Sequence, residues 1–174
     1  MKILLLIYTL TSISLFPLLV KADSMSMFKK RLVHLCPEIN GRLMDGDKPL
    51  SGVTIERGIA YEKEYVSTTT TDNEGYFSFP VHEYETRKPL HPLDEQRVIT
   101  YISANIDDED KKIWHSVIFS LSPVEQLSKN LNTLSCDIHS PLKVFSISYG
   151  LNNAIESDIY TICNLHNIKY KGFY

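Results

Sequence analysis

Six histidines and three cysteines are the side chains best suited to chemistry in this 174-residue chain. His82-Glu83-Tyr84-Glu85 carries a His-x-x-Glu spacing that zinc sites use. No second ligand cluster accompanies it, and it falls where a strand-like run gives way to a polar segment. A hydrated loop is therefore expected, with no metal. Asp107-Asp108-Glu109-Asp110 bunches four acids but lacks the alternating Asp pattern and glycine of a calcium loop, so a solvated turn is expected. Gly-x-Ser-x-Gly, His-Glu-x-x-His and a phosphate-cradling glycine loop are all missing from the sequence. The residues thus predict no catalytic site and no cofactor. A formal charge of -3 leaves no dense basic surface to displace counterions from nucleic acid.

The cysteines lead to the question of compartment. Lys2 precedes an apolar run from Ile3 to Val20, interrupted by Pro17, and Val20-Lys21-Ala22 ends it in small-residue style ahead of Asp23. That layout predicts a signal peptide over residues 1–22, and hence an exported, periplasmic protein. An uncleaved membrane anchor is the alternative, because Lys21, Lys29, Lys30 and Arg31 outnumber the charge before the run. Beyond that segment no membrane contact is expected. No Cys follows the run where a lipid anchor would attach, and no Asn-x-Ser/Thr sequon occurs. In an oxidising compartment two of Cys36, Cys136 and Cys163 should pair, and the best pair is Cys136 with Cys163. Each shares a face with apolar neighbours two residues away, in Leu134-Ser135-Cys136-Asp137-Ile138 and Ile159–Leu165. Cys36 could replace either partner. None has a positioned base that would make it a nucleophile.

The elements that must position these groups read as strands. Ten Tyr, seven Phe and many β-branched residues favour sheet over helix. Residues 23–34 read as a flexible lead-in. After them, strand-like runs alternate with turn signals: Ile39–Met44, Val53–Arg57, Tyr65–Thr71, Tyr76–Val81, Val98–Ile106, Lys111–Phe119, Leu131–Ile138, Leu142–Tyr149 and Asp158–Leu165. Lys111–Phe119 is expected to place Ile113, His115, Val117 and Phe119 on one face, with Trp114 and Ile118 on the other. Ser122-Pro123 reads as the cap and first residue of a short helix. His82–Gln96, with Pro89 and Pro92, reads as the longest loop. The pattern predicts one all-β sandwich of about eight strands over residues 35–167, with 168–174 as a tail.

One stretch carries a family resemblance. Gly41-Arg42-Leu43, Asp45-Gly46-Asp47-Lys48-Pro49-Leu50, Gly52-Val53-Thr54-Ile55 and Thr71-Asp72-Asn73-Glu74-Gly75-Tyr76-Phe77-Ser78-Phe79 follow in order at normal spacing. They resemble the carboxypeptidase regulatory-like, transthyretin-like domain, an immunoglobulin-like sandwich. The remainder resembles an uncharacterised group of such domains in exported proteins of Gram-negative bacteria. That group carries a Leu-x-Cys-Asp-Leu/Ile segment and an Ile-Cys-Glu/Asn-Leu strand, here Leu134–Ile138 and Ile162–Leu165, which implies the same cysteine staple. It implies no activity. The ending Tyr170-Lys171-Gly172 echoes hydroxyisourate hydrolase, but Lys replaces the Arg whose planar fork would hold that substrate.

Function is then weighed between classes. A non-catalytic periplasmic module that binds a protein or cell-envelope partner through end loops is the leading expectation. The 82–96 loop supplies its candidate contacts, Tyr84, Arg87, His91 and Arg97, since Tyr and Arg are common interface anchors. A narrower version is an immunity protein that neutralises a toxin acting in the periplasm. The alternative is a small hydrolase-like enzyme, which requires at least two of His82, His91, His115 and His139 to converge with a carboxylate.

Overall fold

A computed structural model describes residues 30–88, 94 and 96–173. The proposed signal segment and His91 lie outside the described residues. Among the described residues, fourteen strand segments and one short α-helix make an all-β, sandwich-like fold. The larger sheet has seven strands, in the order β14 (Lys169–Phe173), β11 (Lys143–Tyr149), β12 (Ile155–Thr161), β9 (Glu109–Phe119), β8 (Arg97–Ile106), β4 (Thr54–Tyr61) and β5 (Lys63–Thr70). The smaller has five: β13 (Cys163–Asn164), β10 (Leu134–Asp137), β2 (Ile39–Asp45) and β3 (Lys48–Pro49), with β6 (Tyr76–Phe79) also on β2. β1 (Arg31–Cys36) and β7 (His82–Thr86) form a separate antiparallel pair.

Alternation builds the core. Val98, Thr100, Ile102 and Ala104 point inward from β8, and Ile55, Arg57 and Ile59 from β4. Ile39 and Leu43 of β2 and Phe77 and Phe79 of β6 are buried with them in one core cluster. The two Phe rings meet edge to face with centroids 6.4 Å apart, a favoured aromatic geometry. The turn before them is built by side chain and backbone together. Asp72 Oδ1 accepts from the backbone N–H groups of Glu74 and Tyr76, both at 2.9 Å. Gly75 follows at φ 81°, where a Cβ would also lie 2.5 Å from the Leu43 carbonyl, so only glycine fits.

Four expectations need correction. The flexible lead-in to residue 34 does not extend past Lys30, because Arg31–Cys36 is a strand with Val33 buried. Its partner β7 occupies His82–Thr86, so the expected 82–96 loop begins after Thr86. The expected tail is the edge strand β14, paired with β11 through Lys169–Phe173. On β9, Trp114 and Ile118 share the inner face with Ser116, and His115, Val117 and Phe119 the outer one as expected, but Ile113 leaves the outer set. Ile113 is buried too, because the β8–β9 register slips between Ile102 and Ser103 and inserts it as an extra residue.

The acidic turn of the β8–β9 hairpin has a backbone explanation. Asp107 and Asp108 stand at φ 52° and 65°, the left-handed pair that a two-residue hairpin turn requires and that Asp tolerates.

The cysteine staple Cys136–Cys163 is present, with a Cα–Cα distance of 4.0 Å. It joins directly opposed residues of β10 and β13. Its position matters because the chain leaves the seven-stranded sheet at Thr161 and enters the five-stranded sheet at Cys163. Thr161 Oγ1 holds that crossing, donating to the Ile113 carbonyl at 2.7 Å and accepting from Cys163 N–H at 3.0 Å. The disulfide therefore clips one sheet to the continuation of the other. Cys36 is free and fully buried, and burial pushes its thiol up to about 11.

Candidate binding site

The residues singled out from sequence occupy different parts of the sandwich. Tyr84 lies in β7, half-buried against the core. Arg87 is exposed just past that strand, and Arg97 is exposed at the start of β8. Arg97 borders a shallow recess with Tyr61 and Lys63 at the β4–β5 turn. Tyr65 links this region to β7, its ring 4.7 Å from that of His82 and under Lys63 Nζ at 4.8 Å. Burial raises the Tyr65 hydroxyl, and neighbouring Tyr84 raises it further. Burial lowers His82, and the cations Arg57 and Lys63 add to that. This end is therefore aromatic and charged, but it has little depth.

Arg57 beneath it is a buried cation held by neutral groups. Its Nη1 donates to the Pro80 carbonyl at 2.7 Å and its Nε to Ser67 Oγ at 3.1 Å, while the guanidinium lies 4.9 Å from the Phe79 ring centroid. Those contacts join β4, β5 and the β6–β7 connection, and offset the cost of withdrawing a charge from water.

The histidines stand apart. His34 is on β1 beside Glu83, with Nδ1 to Oε1 at 3.7 Å. His115 is on the outer face of β9, its ring 6.1 Å from that of Tyr160, and burial lowers its pKa. His139 Nε2 meets Asp45 Oδ1 at 2.6 Å on an exposed edge. Among the described residues no group of three or more His, Cys, Asp or Glu gathers as metal ligands.

A larger concave surface lies elsewhere and was missed in the sequence. It is an open cleft of about 1010 Å³, within the usual range of ligand sites. Helix α1 (Glu125–Leu131) forms one wall, and the Phe119–Val124 segment leads into it. The opposite side comes from the end of β11, the Leu151–Asn153 turn and His166-Asn167. Helix α1 begins two residues later than Ser122-Pro123 predicts. Val124 is its N-cap and makes no side-chain cap bond, because valine carries no hydrogen-bonding side-chain atom; just upstream, the Ser120 hydroxyl donates to the Ser122 carbonyl and accepts from its N–H.

Buried contacts make the walls firm. Leu127 and Leu131 anchor α1 in the core. Asn130, 5% exposed, donates to the carbonyls of Gln126 at 2.9 Å and His166 at 3.1 Å. It also accepts from His166 N–H at 2.7 Å, so one amide ties helix to facing segment. Gln126 Nε2 donates to the Asn167 carbonyl. Tyr149 Oη accepts from the Phe119 N–H and meets Ser157 Oγ, both at 2.8 Å.

Polar and apolar surface share the lining about equally, and most of its polar side chains are uncharged. Gln96, Asn132, Thr133, Ser148, Asn153 and Asn167 are all present. The charged pair Glu125 and Lys129 closes on itself at 2.6 Å, and the lysine holds the Glu125 carboxyl below its ordinary value. A second recess of about 670 Å³ adjoins through Asn132 and Thr133, with Arg42 stacked 5.0 Å from the Tyr76 ring centroid.

The cleft's residues come from well-separated segments, and amides and hydroxyls form no recognisable motif. The one sequence signal was Gly150 before Asn152-Asn153, a place where the chain turns with positive φ at all three.

No curated protein and no solved structure matches this chain. One family model does match, a domain of unknown function over residues 39–141. That span runs from β2 through β10 and includes α1, whereas the Ser148–Asn167 side of the cleft lies beyond it. Because the match covers more than half of the chain, the protein belongs to the DUF6795 family of domains of unknown function.

Proposed function

We propose that this domain is a non-catalytic, exported binding module that recognises a protein or cell-envelope partner. The observation that carries this reading is the lining of the α1 cleft. Its walls are joined by buried hydrogen bonds, it is rich in amides and hydroxyls, and its one carboxylate and one ammonium face each other. Such a lining offers many more groups that hold a ligand than groups that move its protons, His166 being the one histidine among them. The separate positions of His82, His115 and His139 weigh against the hydrolase alternative. The Cys136–Cys163 disulfide supports export, because such bonds persist in oxidising compartments. The Gly41–Phe79 turn-and-strand signature, now seen as β2, β3, β4, β5 and β6, supports a carboxypeptidase regulatory-like, transthyretin-like ancestry.

The test is retention without turnover. Purified protein is incubated with separated envelope fractions, then assayed by co-sedimentation and by mass spectrometry of the soluble phase. Saturable retention with an unchanged mass profile is expected. Release of new, smaller products would contradict the non-catalytic reading.

A further inference from the structure

We infer that the α1 cleft binds an uncharged, hydroxyl-rich chain, a glycan, and so supplies the ligand class for the binding module proposed above, on which this inference rests. Three features converge. First, the lining matches the chemistry of a sugar. Amide and hydroxyl side chains offer donors and acceptors side by side, as each sugar hydroxyl requires, and Gln96, Ser148, Asn153 and Asn167 stand around one opening. Second, the charge balance excludes the main rivals. Glu125 and Lys129 neutralise each other at 2.6 Å, so the cleft has no cationic fork for phosphate or carboxylate. Apolar surface from Phe119, Val124 and Ile155 is interleaved with the polar groups, as the alternating C–H and hydroxyl faces of a sugar require. Third, an aromatic face is available. Phe119 lines the cleft and is 46% exposed, and its backbone N–H is held by Tyr149 Oη at 2.8 Å. A half-exposed ring on a fixed strand end offers a flat apolar surface to the C–H face of a pyranose.

The backbone adds a further reason to read the opening as built. Asn153 and Asn167, on separate chain segments lining it, both adopt φ 55°. Asparagine tolerates this left-handed conformation, which lets both segments turn sharply at the rim of the opening.

The experiment is affinity electrophoresis and isothermal titration of the purified protein. The probes are neutral N-acetylglucosamine oligomers and neutral gluco-oligosaccharides in separate arms, with heparin as the polyanionic control. Binding in either neutral arm is expected, and the arm that binds identifies the sugar type. Phe119→Ala and Asn153→Ala should each weaken it about tenfold, the loss of one good contact, while Lys112→Ala, an exposed change on β9 outside the cleft, leaves it unchanged. Unfolding midpoints of the variants separate a lost contact from a lost fold. Preference for heparin, or equal affinity in Phe119→Ala, would overturn the glycan assignment. If neutral sugars fail while an envelope protein fraction is retained, the glycan inference falls and the binding-module reading stands. If no fraction is retained, both fall. Shortening of a bound oligosaccharide would keep the glycan and overturn the non-catalytic reading.

Discussion

The region around β7 and the β4–β5 turn differs from the α1 cleft in how its residues come together. Around β7, Tyr84 and Arg87 are near neighbours in sequence, and their types attract attention because they anchor many interfaces. In the folded domain Tyr84 turns toward the core, and the surface that remains is shallow. The cleft draws Gln96, Phe119, α1, the β11–β12 turn and the residues after β13 from far apart in the chain. Each is unremarkable by type. Chain proximity and residue chemistry together locate conspicuous side chains, but concavity depends on how distant segments meet.

That contrast can be broken by experiment, beginning with the staple. Cys163 lies three residues before His166, whose backbone holds Asn130. Replacing both Cys136 and Cys163 by Ala should cost about 3–4 kcal/mol, from the loop closure lost in the unfolded chain. Urea unfolding with and without reductant measures it. Thiol titration of the unreduced protein should find one reactive group, Cys36, and only after denaturation. Cleft binding should suffer more than the β7 region, because the staple supports one cleft wall.

Asn130→Ala comes next. It strands two carbonyls and one N–H across the joint between α1 and His166. A loss of roughly 2–3 kcal/mol is expected, with weakened protection from hydrogen exchange in α1 and little change at β7. Equal loosening at both regions would show that the cleft has no separate framework.

The β7 side has a pH signature. Burial and neighbouring cations hold His82 below its ordinary value, so near pH 6 the unfolded chain binds a proton that the folded one resists. Stability should therefore fall as pH drops from about 7.5 toward 5.5. His82→Gln should flatten the curve in part, leaving the contribution of His115, which burial also lowers. A curve that His82→Gln leaves unaltered would contradict the packing of His82 on Tyr65. Arg87→Ala, by comparison, removes an exposed side chain, and its effect should stay within about 0.5 kcal/mol of zero in the same denaturation assay.

Much of the fold was legible because its signals are local. Period-two alternation placed Val98–Ala104 on one inner face, and Asp72–Gly75 announced a hairpin that the Asp72 carboxylate and Gly75 build. The pairing of Cys136 with Cys163 follows from two short apolar-alternating strands. What was not legible depends on register and partner. A single inserted residue turned Ile113 away from the face of His115, Val117 and Phe119 and into the core. β1, β7 and β14 have modest strand character alone and are fixed by their neighbours, as when Arg31–Cys36 pairs with His82–Thr86. The cleft was the least legible, since nothing in Ser148, Asn153 or Asn167 announces that they share an opening.

The most direct measurement is an amide chemical-shift map of the purified, isotopically labelled protein titrated with the envelope fraction it retains. The perturbed residues should cluster at Phe119, α1, Ser148–Asn153 and His166-Asn167, with the added material chemically unchanged. Perturbation centred instead on β7, Arg87 and Arg97, or conversion of the added material to product, would contradict the cleft as the binding site of a non-catalytic module.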